Sequence, residues 1–480
     1  MYELSARIWI SHWPGEVEAM TLLETDAAFI PAKPPERVGR RGILNSIRLI
    51  RENVIAAWTG DAYEKDFIQY SMFLRRILLA NHPAMIRHVL LDRVDNYVRD
   101  PLGQRLLEPG LGNGLLTSEG ADWKRQRRML APIFSPRRVQ AFAPLMTERT
   151  LALAAQLRPG QPVDMAEAMM HVTLDIIARS MFGADGATDV TSVGAAMDRY
   201  QATVRPNIPD LLGLPGWVPR PNAVAGRSAL VAMDTIINDL IRRRRDMIAA
   251  GQRHGDDMLG LLLAARDDEA GGAGLADREV RDQMATFFLA GHETTATALA
   301  WTWYLLAHDA AVEARLHAEL DTVLGQREPG WDDVEKLTYC RQVVEEAMRL
   351  YPPAHTTSRV ALGDDEIMGV GITKGTSVVI SPWLMHRHRK YWRNPDRFDP
   401  ENFSPEAVQA RQRFVYLPFG AGPRICIGMA FAMTEAILIL ATLARRFSFR
   451  MMPGVQVHPV AKITLRPQPT LPMLASPRRA

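Results

Sequence analysis

The sequence predicts a mainly α-helical fold with small β-sheets, built as one domain. Three observations lead there. Apolar residues recur at helical spacing through most of the 480 positions. Strand-like alternation is confined to a few short stretches, most of them late in the chain. No internal repeat or low-complexity linker divides the sequence. A composition of 47% hydrophobic and 23% charged residues excludes a disordered chain. The formal charge of +3 is too small to argue for nucleic acid as a partner.

From the N-terminus, "MYELSARIWISHWPGEVEAM" has acidic residues and a proline where a secretory signal needs an unbroken apolar stretch. Residues 1–30 are expected to be a loosely packed extension of a single domain covering 1–480. The prolines of "PAKPPERVG" (31–39) hold an extended lead-in. "MAEAMMHVTLDIIARSMFG" (165–183) carries its apolar residues on one face and stops at a glycine. "RPNIPDLLGLPGWVPRPN" (205–222) interrupts the helical pattern as a long, apolar, proline-rich connection. "VAMDTIINDLIRRRRDMIAAG" (231–251) resumes it, with a basic end that suits a helix C-terminus.

The segment "DREVRDQMATFFLAGHETTATALAWTWYLLAHD" (277–309) has no proline and is apolar nearly all round. Such a helix belongs in the middle of a molecule rather than on it. Strands are expected in "EIMGVGITKGTSVVISP" (366–382), "RFSFRMMP" and "KITLRP". No run of about 18 apolar residues would span a membrane. With Cys340 and Cys426 as the only cysteines, there is no disulfide framework, and a soluble, cytoplasmic protein is expected.

Cys426 stands in "FGAGPRICIG", Phe419 to Gly428. Alone, a cysteine is usually a small buried hydrophobe. Here Gly420, Gly422 and Gly428 permit positive φ and a tight loop that turns backbone N–H groups inward. An apolar helix follows at once, so its positive N-terminal end adjoins the sulfur. Both features favour the thiolate, the metal-binding form. One cysteine is too few for zinc or an iron–sulfur cluster. A haem brings four nitrogens of its own and asks the protein for one axial ligand, so a lone thiolate points to haem.

That stretch resembles the haem-ligand loop of the cytochrome P-450 superfamily, F-x-x-G-x-R-x-C-x-G, at all of its defining positions. Three further segments are similar to family motifs and come in the expected order. "EAMR" supplies Glu346 and Arg349, "NPDRF" supplies Arg397, and "AGHETT" (290–295) looks like the distal-helix motif. The resemblance runs from about Pro31 to the strands near 466. It implies the cytochrome P-450 fold, with haem b (iron protoporphyrin IX) between the long central helix and the helix after the cysteine loop.

What the resemblance implies for residues follows. Cys426 would ligate the iron, with Phe419, Gly420 and Gly428 shaping its loop. Trp123 and Arg127 of "WKRQRR", i and i+4 on one helical face, would meet the haem propionates with Arg359 and Arg424. Glu346, Arg349 and Arg397 would form a structural cluster. In the central helix, Ala290 and Gly291 would leave a thin wall beside the iron. Thr294 can bond back to the carbonyl four residues earlier. Glu293 beside it offers an acid to relay protons for O–O cleavage, while the thiolate pushes electron density from the other side.

The expected activity is that of a haem-thiolate monooxygenase inserting one atom of O2 into a lipophilic substrate such as a fatty acid or terpenoid. No residues remain for a flavin or nicotinamide module. Electrons should therefore come from a separate ferredoxin or flavodoxin-type donor with its reductase, docking on Arg125, Arg128, Arg411 and Arg413. The chain is expected to be a monomer without a transmembrane anchor. Rival readings are a peroxygenase using H2O2 and a non-catalytic haem sensor. "GLGNG" (110–114) reads as a flexible loop over the substrate pocket, and His386 and His388 as solvent-facing.

Overall fold

The computed structural model describes residues 29–478, apart from 38, 40–42, 73–74, 205–208, 210–217, 219–225 and 253–254. Most of the expected N-terminal extension and of the 205–222 connection thus lies outside the described residues. From Phe29 onward the chain is anchored rather than loose. The Phe29 ring stacks on His308 at 4.3 Å, and the Tyr351 hydroxyl donates to the Ala32 carbonyl.

Helices dominate, as the apolar periodicity predicts. Those that build the site are α1 (Pro101–Leu111), α2 (Gly120–Leu130), α3 (Pro136–Ala154), α4 (Met165–Thr203), α5 (Arg227–Ala249), α6 (Asp277–Leu306), α7 (Thr338–Leu350) and α8 (Met429–Ala444). In α4 the backbone breaks at Gly183 (φ 75°), where the sequence pattern stops, before helix resumes. The central helix α6 begins with the Glu279 carboxylate reaching back to the Ala276 N–H, which occupies a donor the helix leaves free. It then runs buried through the middle of the molecule against α4, α5, α7 and α8. Among the described residues no helix is long and apolar enough to cross a membrane.

The strands that bear on the site are β1 (Phe67–Met72), β2 (Arg75–Ala80), β3 (Tyr97–Arg99), β4 (Pro162–Asp164), β5 (Thr357–Ala361), β6 (Ser377–Ile380), β7 (Phe447–Met451), β8 (Leu465–Gln468) and β9 (Pro472–Pro477). The largest sheet has the order β1-β2-β6-β5-β3, with β2 and β6 parallel and the other pairs antiparallel. Three of the five strands of this sheet come from early chain, contrary to the expectation of late strands. Arg75 and Arg76 interrupt the alternation there and hide it. A smaller sheet joins β7, β9 and β4. The buried indole of Trp301 on α6 donates to the Leu465 carbonyl (2.6 Å), fixing β8 against the central helix.

Candidate active site

The cysteine loop is closed by the Cys426 N–H donating to the Phe419 carbonyl at 2.9 Å. Gly420 (φ 71°) and Gly422 (φ 70°) adopt the left-handed conformation the sequence anticipates. A Cβ on Gly422 would overlap the Leu90 carbonyl oxygen, so only glycine lets the loop seat against the turn at 88–92. Gly428 behaves differently. Its φ of −87° is ordinary, and it serves as the residue capping α8 with its N–H directed at the Cys426 sulfur.

Cys426 is accessible at its surface although protein surrounds it. Burial pushes its thiol pKa up, opposed by the Gly428 N–H and by Arg127. The Gly428 N–H and Arg127 act in the direction the sequence reading expects, against that burial. A metal ion on the sulfur would add to that stabilisation.

A crowd of arginines lies beside this loop. Arg99 on β3 and Arg359 on β5 are register partners on adjacent strands, an arrangement that like charges disfavour. Burial, then the charges of Arg359 and Arg424, bring the Arg99 pKa down to about 9. Burial, then Arg424, brings Arg359 to about 10. Glu119 meets the group, paired with Arg424 and 3.7 Å from Arg99. Arg424 also donates to the Ser118 carbonyl and lies 4.3 Å above the Trp123 ring. Arg127, one turn along α2 from Trp123, donates to the Ile425 carbonyl at 2.8 Å.

The sequence reading thus placed Trp123, Arg127, Arg359 and Arg424 in one neighbourhood and missed Arg99. Four guanidiniums against the Glu119 carboxylate leave a surplus of buried positive charge. Such a surplus is tolerable where an anionic ligand neutralises it. Haem, with two propionates and an iron that seeks one axial sulfur, fits this donor set.

On α6, Ala290 is exposed although the helix around it is buried. An opening at the middle of a central helix marks a cavity wall. Thr294, one turn later, is partly exposed on the same side and donates to the Ala290 carbonyl at 2.7 Å, as anticipated. Gly291, partly exposed, also lets Ile177 of α4 approach to where a Cβ would stand. Glu293, next to Thr294, is buried. It is 2% exposed, accepts from Thr464 and from Arg466 Nε (2.8 Å), and keeps its other oxygen, Oε2, without a hydrogen-bond partner among the described residues.

Glu346 and Arg349 form a fully buried pair on α7 (Nε–Oε2 2.6 Å). Arg397 does not complete it as expected, since its side chain is exposed and only its carbonyl accepts from Arg349 (2.7 Å). The third side chain is Asn402, whose amide donates to Glu346 at 3.2 Å beside the Asp399 N–H at 2.9 Å. Two Pro-acid segments, "NPDRF" and "DPENF", stand five residues apart, and the register between them cannot be read from sequence.

Three further expectations are corrected. Arg125 and Arg128 are engaged by Asp267, Glu269 and Glu279, and Arg411 stacks on Trp392 and Phe403; of the four expected docking arginines, Arg413 is exposed and appears in none of these pairs. The "GLGNG" loop is clamped, with the Asn113 N–H on Asp282 (2.9 Å) and the Leu115 N–H on Gln283 (3.0 Å) of α6. His386 and His388 are buried, and His386 Nε2 accepts from the Leu417 N–H at 2.7 Å.

Comparison with known proteins agrees with this geometry. The family model for Cytochrome P450 matches residues 59–473. Cyclooctatin synthase from Streptomyces melanosporofaciens is 36% identical over 86% of this chain and 89% of its own. Cyclooctat-9-en-7-ol 5-monooxygenase from the same organism is 35% identical, covering 93% of this chain and 98% of its own. The crystal structure of the cytochrome P450DA heme domain superposes with a TM-score of 0.77 at 28% identity, covering 94% of this chain and 98% of that one. The chain belongs to the cytochrome P450 family.

Proposed function

We propose that this cytochrome P450 monooxygenase binds haem b through Cys426 and hydroxylates a terpenoid-like lipophilic substrate. The observation that carries the haem assignment is the opposed pair Arg99 and Arg359 beside an accessible cysteine, which calls for two carboxylates next to a sulfur-ligated centre. When bound, the haem supplies the iron that activates O2.

The chain's own residues do the rest. Arg99, Arg127, Arg359 and Arg424, with Trp123, would hold the propionates. Gly420 and Gly422 fold the cysteine loop, and the Gly428 N–H donates to the sulfur and tunes its basicity. Ala290 leaves room on the distal side. Thr294, tied to the Ala290 carbonyl, presents its hydroxyl oxygen as an acceptor for water in the cavity. Glu293 holds the proton supply behind it.

The terpenoid reading is supported by the names of two relatives. The electron donor is a ferredoxin or flavodoxin-type protein. Its contact centres on the exposed Leu91 and Met429, which flank the cysteine loop, rather than on the arginines already engaged in the protein. The whole chain acts as one catalytic domain, monomeric and cytoplasmic.

The test is turnover of a terpenoid alcohol panel with NADPH, a surrogate ferredoxin and its reductase, in parallel with H2O2 alone. The proposal requires hydroxylated product that depends on the electron-transfer chain. Product from H2O2 alone would make the protein a peroxygenase, and none under either condition would leave a haem sensor.

A further inference from the structure

Arg466 on β8 ties three elements together. Its Nε donates to Glu293 Oε1 of α6 (2.8 Å), and its Nη2, 2.6 Å from the same oxygen, donates to Gln201 Oε1 near the end of α4 (2.9 Å). Arginine has donors only, so Gln201 must present its oxygen, which fixes the remaining amide atom as an NH2 group. That Nε2 is buried without a partner, and so is Glu293 Oε2. Among the described residues, a donor and an acceptor are therefore left over on two side chains held by one guanidinium. Buried polar atoms of this kind are normally satisfied by internal water.

The same arginine reaches solvent. A third of its side chain is exposed, while Glu293 is buried. Arg466 lines a cleft of about 210 Å³ together with Asp164 and Glu167 at the start of α4, Ala296 and Thr297 of α6, and Thr470. The cleft reaches α6 one turn beyond Glu293.

We propose that a water molecule bridges Gln201 Nε2 and Glu293 Oε2, and that Gln201, Arg466 and Glu293 form a station that takes up protons from this cleft. One proton moves and no electron does. An O–H bond of the bridging water breaks as an O–H bond to Oε2 forms, and the water is reprotonated from solvent in the cleft. Arg466 stays cationic throughout and orients both partners. Gln201 and Arg466 are positioning residues. The inference rests on the reading of Glu293 as the proton supply.

The experiment uses the haem-loaded protein and two readouts. A high-resolution crystal structure is expected to show an ordered water between Gln201 Nε2 and Glu293 Oε2; a dry site overturns the proposal. Peroxide released per NADPH consumed is then compared for wild type, Gln201→Leu, Gln201→Glu and Glu293→Gln, with the CO-bound spectrum as a control for an intact haem site. Both Gln201 variants remove the donor, and the isosteric Gln201→Glu serves where Gln201→Leu fails to fold. Each is expected to raise the peroxide leak about tenfold, with a larger solvent isotope effect on turnover. A leak unchanged in the Gln201 variants but raised in Glu293→Gln sinks the station alone. A leak unchanged in Glu293→Gln sinks the relay on which it rests.

Discussion

Glu346 on α7 and Glu293 on α6 are both buried glutamates paired with an arginine, and their surroundings differ at almost every atom. Arg349 gives Glu346 two hydrogen bonds (2.6 and 2.7 Å) and spends its other donors on the carbonyls of His386, Pro395 and Arg397. The Asp399 N–H and Asn402 amide complete the glutamate's shell. Glu293 has one oxygen satisfied and one free, and its arginine reaches water. A closed network has nothing left to exchange and pins the segment that leads into the cysteine loop. An open one leaves an acceptor for a further partner. Of two pairs with the same chemistry, the satisfied one is structural and the unsatisfied one is a candidate for function.

Cutting the closed network should do the greatest damage. Glu346→Ala leaves the Arg349 charge buried and uncompensated, at a cost of about 3–5 kcal/mol. Thermal unfolding and haem retention both read this. Glu293→Ala should cost less than about 2 kcal/mol, because water in the cleft can reach Arg466. Equal losses at the two sites would remove the distinction.

Glu435 on α8 sharpens the comparison from the other side. It is buried with neither oxygen hydrogen-bonded, and burial pushes its carboxyl up to about 8, with Thr295 the polar neighbour opposing that rise. The folded state thus binds this proton more tightly than the unfolded chain, whose glutamate titrates near about 4.3. The stabilisation is complete below that value, is lost as pH rises toward about 8, and changes no further above it. Glu435→Gln should remove the slope, worth up to about 1.4 kcal/mol per pH unit within the window. Denaturant unfolding at pH 5 and pH 8 measures it, and an identical slope in the variant would mean that Glu435 is ionised when folded.

The smallest effect decides who completes the Glu346 cluster. Asn402→Ala should cost about 1 kcal/mol through the lost hydrogen bond. Arg397→Ala should stay within about 0.5 kcal/mol, as for an exposed side chain. The reverse order in thermal unfolding would restore Arg397 to the cluster.

What could be read in the sequence is what neighbouring residues determine. The glycines of the cysteine loop, the central helix and the Thr294 back-bond each involve partners a few positions apart. Arg99 could not be found because its meaning depends on the register of β3 against β5, and β3 has only three residues. The Glu293–Arg466 pair spans 173 positions, and no local pattern announces it. The docking arginines were misjudged for a related reason. Charge is visible in a sequence, but its neutralisation by Asp267 or Glu279 from another element is not.

The central claim is that Cys426 ligates haem iron as a thiolate. The most direct measurement is the absorption spectrum of the dithionite-reduced, haem-loaded protein with and without carbon monoxide. A Soret band shifted strongly to the red on adding CO is the predicted result, because only an anionic sulfur opposite the CO produces it. A band at the shorter wavelength of histidine or neutral-thiol ligation, in freshly prepared and fully loaded protein, would contradict the claim.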